Sequence, residues 1–217
     1  MQLPAPRAVV DSMTTRPARL FLLSPANVAG QRAKYLLNKG ATFDLAREFH
    51  ANGLPIATAF AFTSGLYFRG KITYATTFAD GAAGDLVRVI TTNAGLVDPN
   101  KVIGPEEFAA YGTTAIDATD PAYHRPLRRG AKALDRQLGP SASVILLGSI
   151  ATPKYRDVLL DVFGPRLFFP TDFVGRGDMS RGALLLRAAR AGQELNYGVV
   201  AGAVLTGRRA SGASRFS

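Results

Sequence analysis

Arg19-Leu20-Phe21-Leu22-Leu23-Ser24-Pro25-Ala26-Asn27 is an apolar strand that stops abruptly on a small polar tetrad. In open α/β sheets ligands bind in the crevice beyond the carboxyl ends of strands, so this tetrad is where chemistry is first expected. Three more strand ends carry similar clusters: Thr91-Thr92-Asn93, Gly148-Ser149 and Thr171-Asp172. The pattern predicts one crevice and one active site.

Working outward, strands are expected at Leu20–Leu23, Ile56–Phe62, Leu86–Thr91, Val144–Leu147 and Leu167–Phe169. Between them, apolar residues at helical spacing predict helices over Thr42–Phe49, Phe68–Phe78, Ala122–Leu138, Lys154–Val162 and Met179–Ala191. The alternation predicts an α/β fold: a single domain with a central, mostly parallel or mixed sheet flanked by helices. Thr152-Pro153 reads as a helix start, with a hydroxyl to cap free amides and proline at the first helical position, and Asp178 is expected to cap the next helix. Residues 1–18 are expected to be a flexible N-terminal segment, 19–206 the α/β domain, and 207–217 a flexible basic tail. No solenoid-type repeat, helix-turn-helix or zinc-finger signature is present, so any nucleic-acid surface belongs to the α/β core.

The chain has 217 residues, 47% of them hydrophobic, enough for one substantial core. It has no cysteine, which excludes disulfides, a thiolate nucleophile and cysteine-ligated metal sites. Its two histidines, His50 and His124, do not suggest a metal centre, and no metal or cofactor is expected. No stretch reads as a signal peptide or bilayer span, so a soluble cytoplasmic protein without a membrane partner or an obligatory protein partner is the expectation. The net charge of +10 is uneven: residues 1–120 hold 11 Lys or Arg against 10 Asp or Glu, and residues 121–217 hold 15 against 6. A basic half is the electrostatic footprint of a nucleic-acid binder.

Four stretches can carry chemistry. Ser24-Pro25-Ala26-Asn27, followed by Gly30-Gln31-Arg32, can present Asn27 to a base or sugar and Arg32 to a phosphate, or form an Asx turn with Arg32 solvated. Gly65-Leu66-Tyr67-Phe68-Arg69-Gly70-Lys71 interleaves aromatics with cations, the logic of holding an unstacked nucleotide with Arg69 and Lys71 near phosphates; alternatively Tyr67 and Phe68 face the core. Gly148-Ser149-Ile150-Ala151-Thr152-Pro153-Lys154-Tyr155 runs from a strand end into a helix N-terminus, an anion site or an ordinary capped helix. Asp172-Phe173-Val174-Gly175-Arg176-Gly177-Asp178-Met179-Ser180-Arg181 offers a carboxylate beside two arginines, for water activation and leaving-group stabilisation or as a structural ion pair.

Taken in order, these stretches resemble the bacterial YaaA-type superfamily, whose α/β core is similar to the uracil-DNA-glycosylase fold. The resemblance spans about Leu20 to Arg190. It rests on Ser24-Pro25-Ala26, Gly65-Leu66-Tyr67 through Tyr74, Gly95-Leu96-Val97-Asp98-Pro99, Lys154-Tyr155, and Arg176-Gly177-Asp178-Met179-Ser180-Arg181. Two positions depart from it: Asn27 stands where YaaA-type proteins carry lysine, and Thr92-Asn93-Ala94-Gly95 replaces their Leu-Tyr-Gly turn. An uncharged amide there resembles the base-recognising sites of glycosylases, and the variant looks like bacterial glycosylases that defend against phage by excising modified DNA bases.

The resemblance implies hydrolysis of the N-glycosidic bond of a modified base, such as hydroxymethylated or glucosylated cytosine in phage DNA. Asn27 and Asp172 would position or activate water. Ser24, Asn93 and Ser149 would contact the base or sugar, and Tyr67 or Tyr155 would stack. Arg32, Arg69, Lys71, Lys154, Arg176 and Arg181 would hold phosphates, with DNA as the partner. The alternatives are a non-enzymatic DNA-binding role in oxidative-stress protection and a base-modifying enzyme of tRNA or nucleoside metabolism.

Overall fold

The computed structural model describes residues 16–203. Most of the expected N-terminal loose segment, and all of the basic tail, lie outside them. The strand quoted above is β1 (Arg19–Leu23), and it is buried along nearly its whole length. Successive side chains in a strand point to opposite faces, and β1 uses both: Phe21 and Leu23 enter one core, Leu20 and Leu22 the other.

The chain continues through α1 (Gln31–Leu37), α2 (Asp44–Asn52), β2 (Leu54–Pro55), α3 (Ile56–Ser64) and α4 (Leu66–Phe78) to β3 (Leu86–Ile90). Next come β4 (Leu96–Val97), β5 (Val102–Ile103), α5 (Pro105–Ala110), α6 (Pro121–Leu138), β6 (Ser143–Leu147), α7 (Pro153–Phe163), β7 (Leu167–Pro170), α8 (Asp178–Ala191) and β8 (Tyr197–Val199). Six strands form one sheet in the order β4-β3-β1-β6-β7-β8. The inner four are parallel, and β4 and β8 pair antiparallel at the edges. Helices α1 to α5 and α8 contribute to the core on the Phe21 face, while α6 and α7 cover the other. This is an α/β domain with a mixed, mostly parallel sheet flanked by helices. Among the described residues no helix is long and apolar enough to cross a membrane.

The order fixes where a ligand site belongs. From β1 the chain crosses to β3 on one side, whereas β6 and β7 build outward on the other. The carboxyl ends of β1 and β6 therefore flank the point where the winding reverses, which is where open α/β sheets leave a crevice.

The expected strand at Ile56–Phe62 is a helix. Its alternating small and large residues mimic strand periodicity, but α3 buries Ile56, Ala59 and Phe60, a helical spacing. Pro153 does occupy the first turn of α7, although Thr152 makes no side-chain cap bond. Gly177, not Asp178, is the N-cap of α8; Asp178 sits inside the first turn, where its charge favours the helix dipole.

At the sheet's amino end the buried carboxylate of Asp85 receives the guanidinium groups of Arg16 and Arg19 and the backbone amides of Arg19 and Asp80. Burial alone would raise its pKa, but these donors outweigh burial and hold it at about 2.

Helices α4 and α8 cross with glycine on each side. A Cβ on Gly182 would lie 2.7 Å from the Leu66 carbonyl oxygen, and one on Gly70 would lie 2.6 Å from the Gly182 carbonyl oxygen. Both obstacles are backbone, so the helices would have to separate. Gly182→Ala is expected to destabilise the protein by about 2 kcal/mol in urea unfolding, because an overpacking cost near the top of its range exceeds the ~1 kcal/mol gained in helix propensity. A stabilised variant would refute the close crossing.

Candidate functional site

A cavity of about 840 Å³ opens at the predicted end of the sheet. The loop after β1 supplies Ser24 to Gly30, α1 supplies Gln31 and Arg32, and the end of α3 supplies Thr63 and Ser64. Tyr67 comes from α4, Thr92 from the end of β3, and Thr114 to Ile116 from the loop before α6. Ser149 and Thr152 follow β6, with Lys154 and Tyr155 on α7 and Asp178 and Met179 on α8.

The deepest part is built on Ser24. Its amide donates to the Leu147 carbonyl at 3.2 Å, tying the ends of β1 and β6 together. Gly148 follows directly, and a Cβ there would lie 2.8 Å from both Ser24 Cβ and the Tyr155 hydroxyl oxygen, so glycine permits the approach. The Ser149 amide donates to the Tyr155 hydroxyl at 2.9 Å. Burial raises the Tyr155 pKa, against hydrogen bonding from Ser24 and Ser149 that lowers it.

Lys71 lies under this point, 1% exposed. Its Nζ donates to the Ser24 carbonyl oxygen at 2.5 Å and to Ser24 Oγ at 2.8 Å. The same nitrogen lies 4.5 Å from the ring centroid of Tyr67 and 4.9 Å from that of Phe68. No carboxylate pairs with it among the described residues. Lys71, expected among the phosphate contacts, is thus closed off from solvent and faces Ser24.

Tyr67 also differs in role from the stacking platform expected of it. Phe173 meets its ring edge-on and Lys71 sits over its face. Its hydroxyl is buried with no hydrogen-bond partner among the described residues. Burial raises its pKa, with the Arg181 cation pulling the other way.

The other residues singled out from the sequence divide into two groups. Asn27, Arg32, Ser149, Lys154 and Tyr155 line the cavity together with Ser24 and Tyr67. Asn27 makes the Asx turn, its Oδ1 accepting the Ala29 amide at 3.1 Å. Its Nδ2 donates to no protein group among the described residues.

Asn93, Asp172, Arg69, Arg176 and Arg181 do not line it. Asn93 donates to the Ala110 carbonyl at 3.0 Å, and Thr92 to that of Tyr111 at 2.7 Å. Together they pin the segment leading to the cavity wall at Gly112 and Thr114. Asp172 is exposed, and its carbonyl accepts from Arg176 at 2.9 Å. Arg181 turns inward, donating to the Phe173 carbonyl and lying 3.6 Å from the Asp178 carboxylate. Arg69 borders an adjoining groove with Arg32 and Met179. The carboxylate that does reach the cavity is Asp178. Thr63, Ser64 and Thr114 are further lining residues that the sequence reading missed; the Thr-Ser pair just before Gly65 is the local signal that α3 ends in hydroxyls.

Among the described residues no three His, Asp or Glu side chains gather as a metal-ligand set. No family model matches the chain, and no curated protein or solved structure matches it.

Burial pulls the Lys71 ammonium down from 10.5 to about 7, against a weaker opposing effect of Asp178. In the unfolded chain the group stays protonated up to its ordinary pKa, so between these values unfolding takes up a proton. Stability then rises with pH. Below pH 7 both states are protonated and the penalty for the buried charge is constant. Relative to Lys71→Met, the wild type is expected to gain about 1.4 kcal/mol per pH unit above pH 7, read from urea unfolding. Parallel stability curves would show that the lysine carries no such penalty.

Proposed function

We propose that this chain hydrolyses the N-glycosidic bond of a modified base in DNA, taking the extruded nucleotide into the strand-end cavity. The supporting observation is the cavity's place and make-up: it opens at the reversal point of the sheet, and neutral hydrogen-bonding groups, aromatic walls and two cations line it. About 840 Å³ suits a ligand of nucleotide size. A base has to leave the stack to enter such a site, at a cost of a few kcal/mol that contacts inside must offset.

In this reading Asn27 positions the attacking water through its uncommitted Nδ2, and Asp178 takes the role first assigned to Asp172, as the carboxylate that lines the cavity. Ser149 and Tyr155 contact the base or sugar, and Arg32 and Lys154 hold the phosphates flanking the extruded nucleotide. Ala26, Ala29 and Gly30 are all on the wall. Their small size leaves room for an enlarged pyrimidine, which favours modified phage DNA as substrate and defence as the role. The order of motifs resembling the YaaA-type and uracil-DNA-glycosylase-like proteins supports the same reading.

The basic half of the chain adds long-range attraction. Arg125, Arg129, Lys132 and Arg136 are all exposed and fall at one-turn intervals along the outer face of α6, whose ion pairs belong to Arg128 and Asp135. Such a stripe draws a polyanion toward the protein before specific contacts form.

The test is incubation with phage DNA carrying hydroxymethylated or glucosylated cytosine and with unmodified DNA, followed by mass spectrometry for free base and cleavage at abasic sites. Release from the modified DNA is expected, with at least a ~100-fold loss of turnover in Asn27→Ala. Arg32→Ala and Lys154→Ala should each reduce the slope of log affinity against log salt by about 1. Salt-sensitive binding without base release from any substrate would overturn the reading in favour of DNA binding without chemistry.

A further inference from the structure

Three observations converge beneath Ser24. Lys71 donates to Ser24 Oγ at 2.8 Å, so that oxygen is engaged as an acceptor and its own proton can go to the Tyr155 hydroxyl or to a ligand. Tyr67 belongs to the same lining, and its hydroxyl is buried without an acceptor among the described residues, with the Arg181 cation beside it. The Lys71 nitrogen stands behind both groups, against Ser24 Oγ and over the Tyr67 ring. An unpaired buried donor has a standing cost unless a ligand engages it.

Building on the hydrolase reading above, we infer that Ser24 and Tyr67 form the hydrogen-bond cradle for negative charge on the departing base, and that Lys71 is the positioning cation acting through both. In the reaction the C1′–N bond breaks and its electron pair leaves with the base. Water forms the new C1′–O bond, and the proton it sheds ends on the base. Charge therefore gathers on the base before that proton arrives, and preorganised donors aimed at such charge lower the barrier. Lys71 touches no substrate. It fixes the Ser24 rotamer and adds positive potential from a buried position, where a charge acts more strongly than in solution.

The cradle depends on the ammonium form. Lys71 is faced by Tyr67 and Phe68 from α4, by Ser24 from the end of β1 and by the charge of Asp178 from α8, while Arg181 from α8 and Tyr155 from α7 act on Tyr67. Burial dominates over this surrounding and leaves the group titrating near pH 7. As pH rises through that value the cation is lost, and with it the field behind both donors.

The experiment combines turnover with a binding measurement that needs none. In the wild type, kcat on modified-cytosine DNA should fall above about pH 7, approaching tenfold per pH unit. Lys71→Met fills the same space without charge; it should lower kcat at pH 6 at least ~10-fold and remove that limb of the profile. Ser24→Ala should lower kcat ~100-fold, and Tyr67→Phe ~10-fold, with KM changed less than about threefold. Barbiturate, a pyrimidine that is anionic at neutral pH, should bind more tightly at pH 6 than at pH 8 and raise the Lys71 pKa, followed by 15N NMR of its Nζ. Both effects should vanish in Ser24→Ala.

Base release with an unchanged pH profile in Lys71→Met, or barbiturate binding indifferent to pH and to Ser24, would overturn the cradle while leaving the hydrolase reading intact. pH-dependent, Ser24-dependent barbiturate binding with no base release from DNA would support the anion cradle and overturn the hydrolase reading.

Discussion

The backbone contact between Gly70 and Gly182 governs the rest of the site. Each glycine has a charged side chain next to it: Lys71 follows Gly70 on α4, and Arg181 precedes Gly182 on α8. Because neither glycine carries a Cβ, the two helices approach until backbone meets backbone, closer than the usual separation set by interposed side chains. That approach seals Lys71 from solvent, brings Arg181 beside Tyr67, and carries Asp178 to the cavity lining. Sheet topology places the opening, but the helix crossing decides which charges lie under it.

The chain buries charge at both ends of its sheet, in two different ways. At the amino end, the Asp85 carboxylate is surrounded by guanidinium and amide donors and keeps its charge easily. That is a structural arrangement: removing a partner strands the other charge, and the satisfied group has nothing left to offer a ligand. At the carboxyl end, Lys71 has two oxygens and two ring faces but no paired carboxylate among the described residues, and burial weakens its affinity for a proton. A methionine would fill the space at lower desolvation cost. The lysine is a liability for folding, and its use has to be sought in what it does to Ser24.

The same asymmetry explains what could be read in the sequence. Strands β1, β3, β6 and β7 and helices α2, α4, α6, α7 and α8 were legible because each has apolar residues at a clear period with polar breaks at its ends. The meeting of the loops after β1, β3 and β6 at one cavity was legible for the same reason, since topology forces the carboxyl ends of parallel strands to the same edge, but Thr171-Asp172 after β7 does not line it. Strands β4 and β8 were not, being edge strands of two and three residues whose pairing comes from their neighbours. Helix α3 was misread because Ala57, Ala59 and Ala61 alternate with larger residues, and alanine serves equally as the small face of a strand or the close-packed face of a helix.

Lys71 was misassigned although its periodicity was in view. Tyr67, Lys71 and Tyr74 recur at helical spacing on a buried face that also carries Phe68 and Ala75, yet a lysine invites a solvent-exposed reading wherever it stands. Asp172 was overvalued for the opposite reason: it sits at a strand end in sequence, but the 3-10 turn Thr171–Phe173 places it on an exposed loop whose arginine bonds the loop's own backbone and Ser180.

Selectivity at such a cavity has to come from its neutral groups more than from its size. A pocket that merely has room discriminates weakly: an added or missing methylene changes rates by about 10–200-fold, and spare volume admits the smaller base as well as the larger. Small residues at Ala26, Ala29 and Gly30 thus permit an enlarged pyrimidine without requiring one. A committed donor left unpaired by the wrong ligand rejects far more strongly, because its desolvation cost is then borne in full. The Tyr67 hydroxyl is such a group, buried and without a protein acceptor among the described residues, whereas the exposed Asn27 amide can return to water. On the proposed reading Arg32 and Lys154 would face phosphates and could not supply this discrimination, since every DNA strand would offer them the same backbone. On the proposed reading affinity and selectivity would be divided between the lysine and arginine at the lining and the buried uncharged donors, and a single substitution should move one without the other.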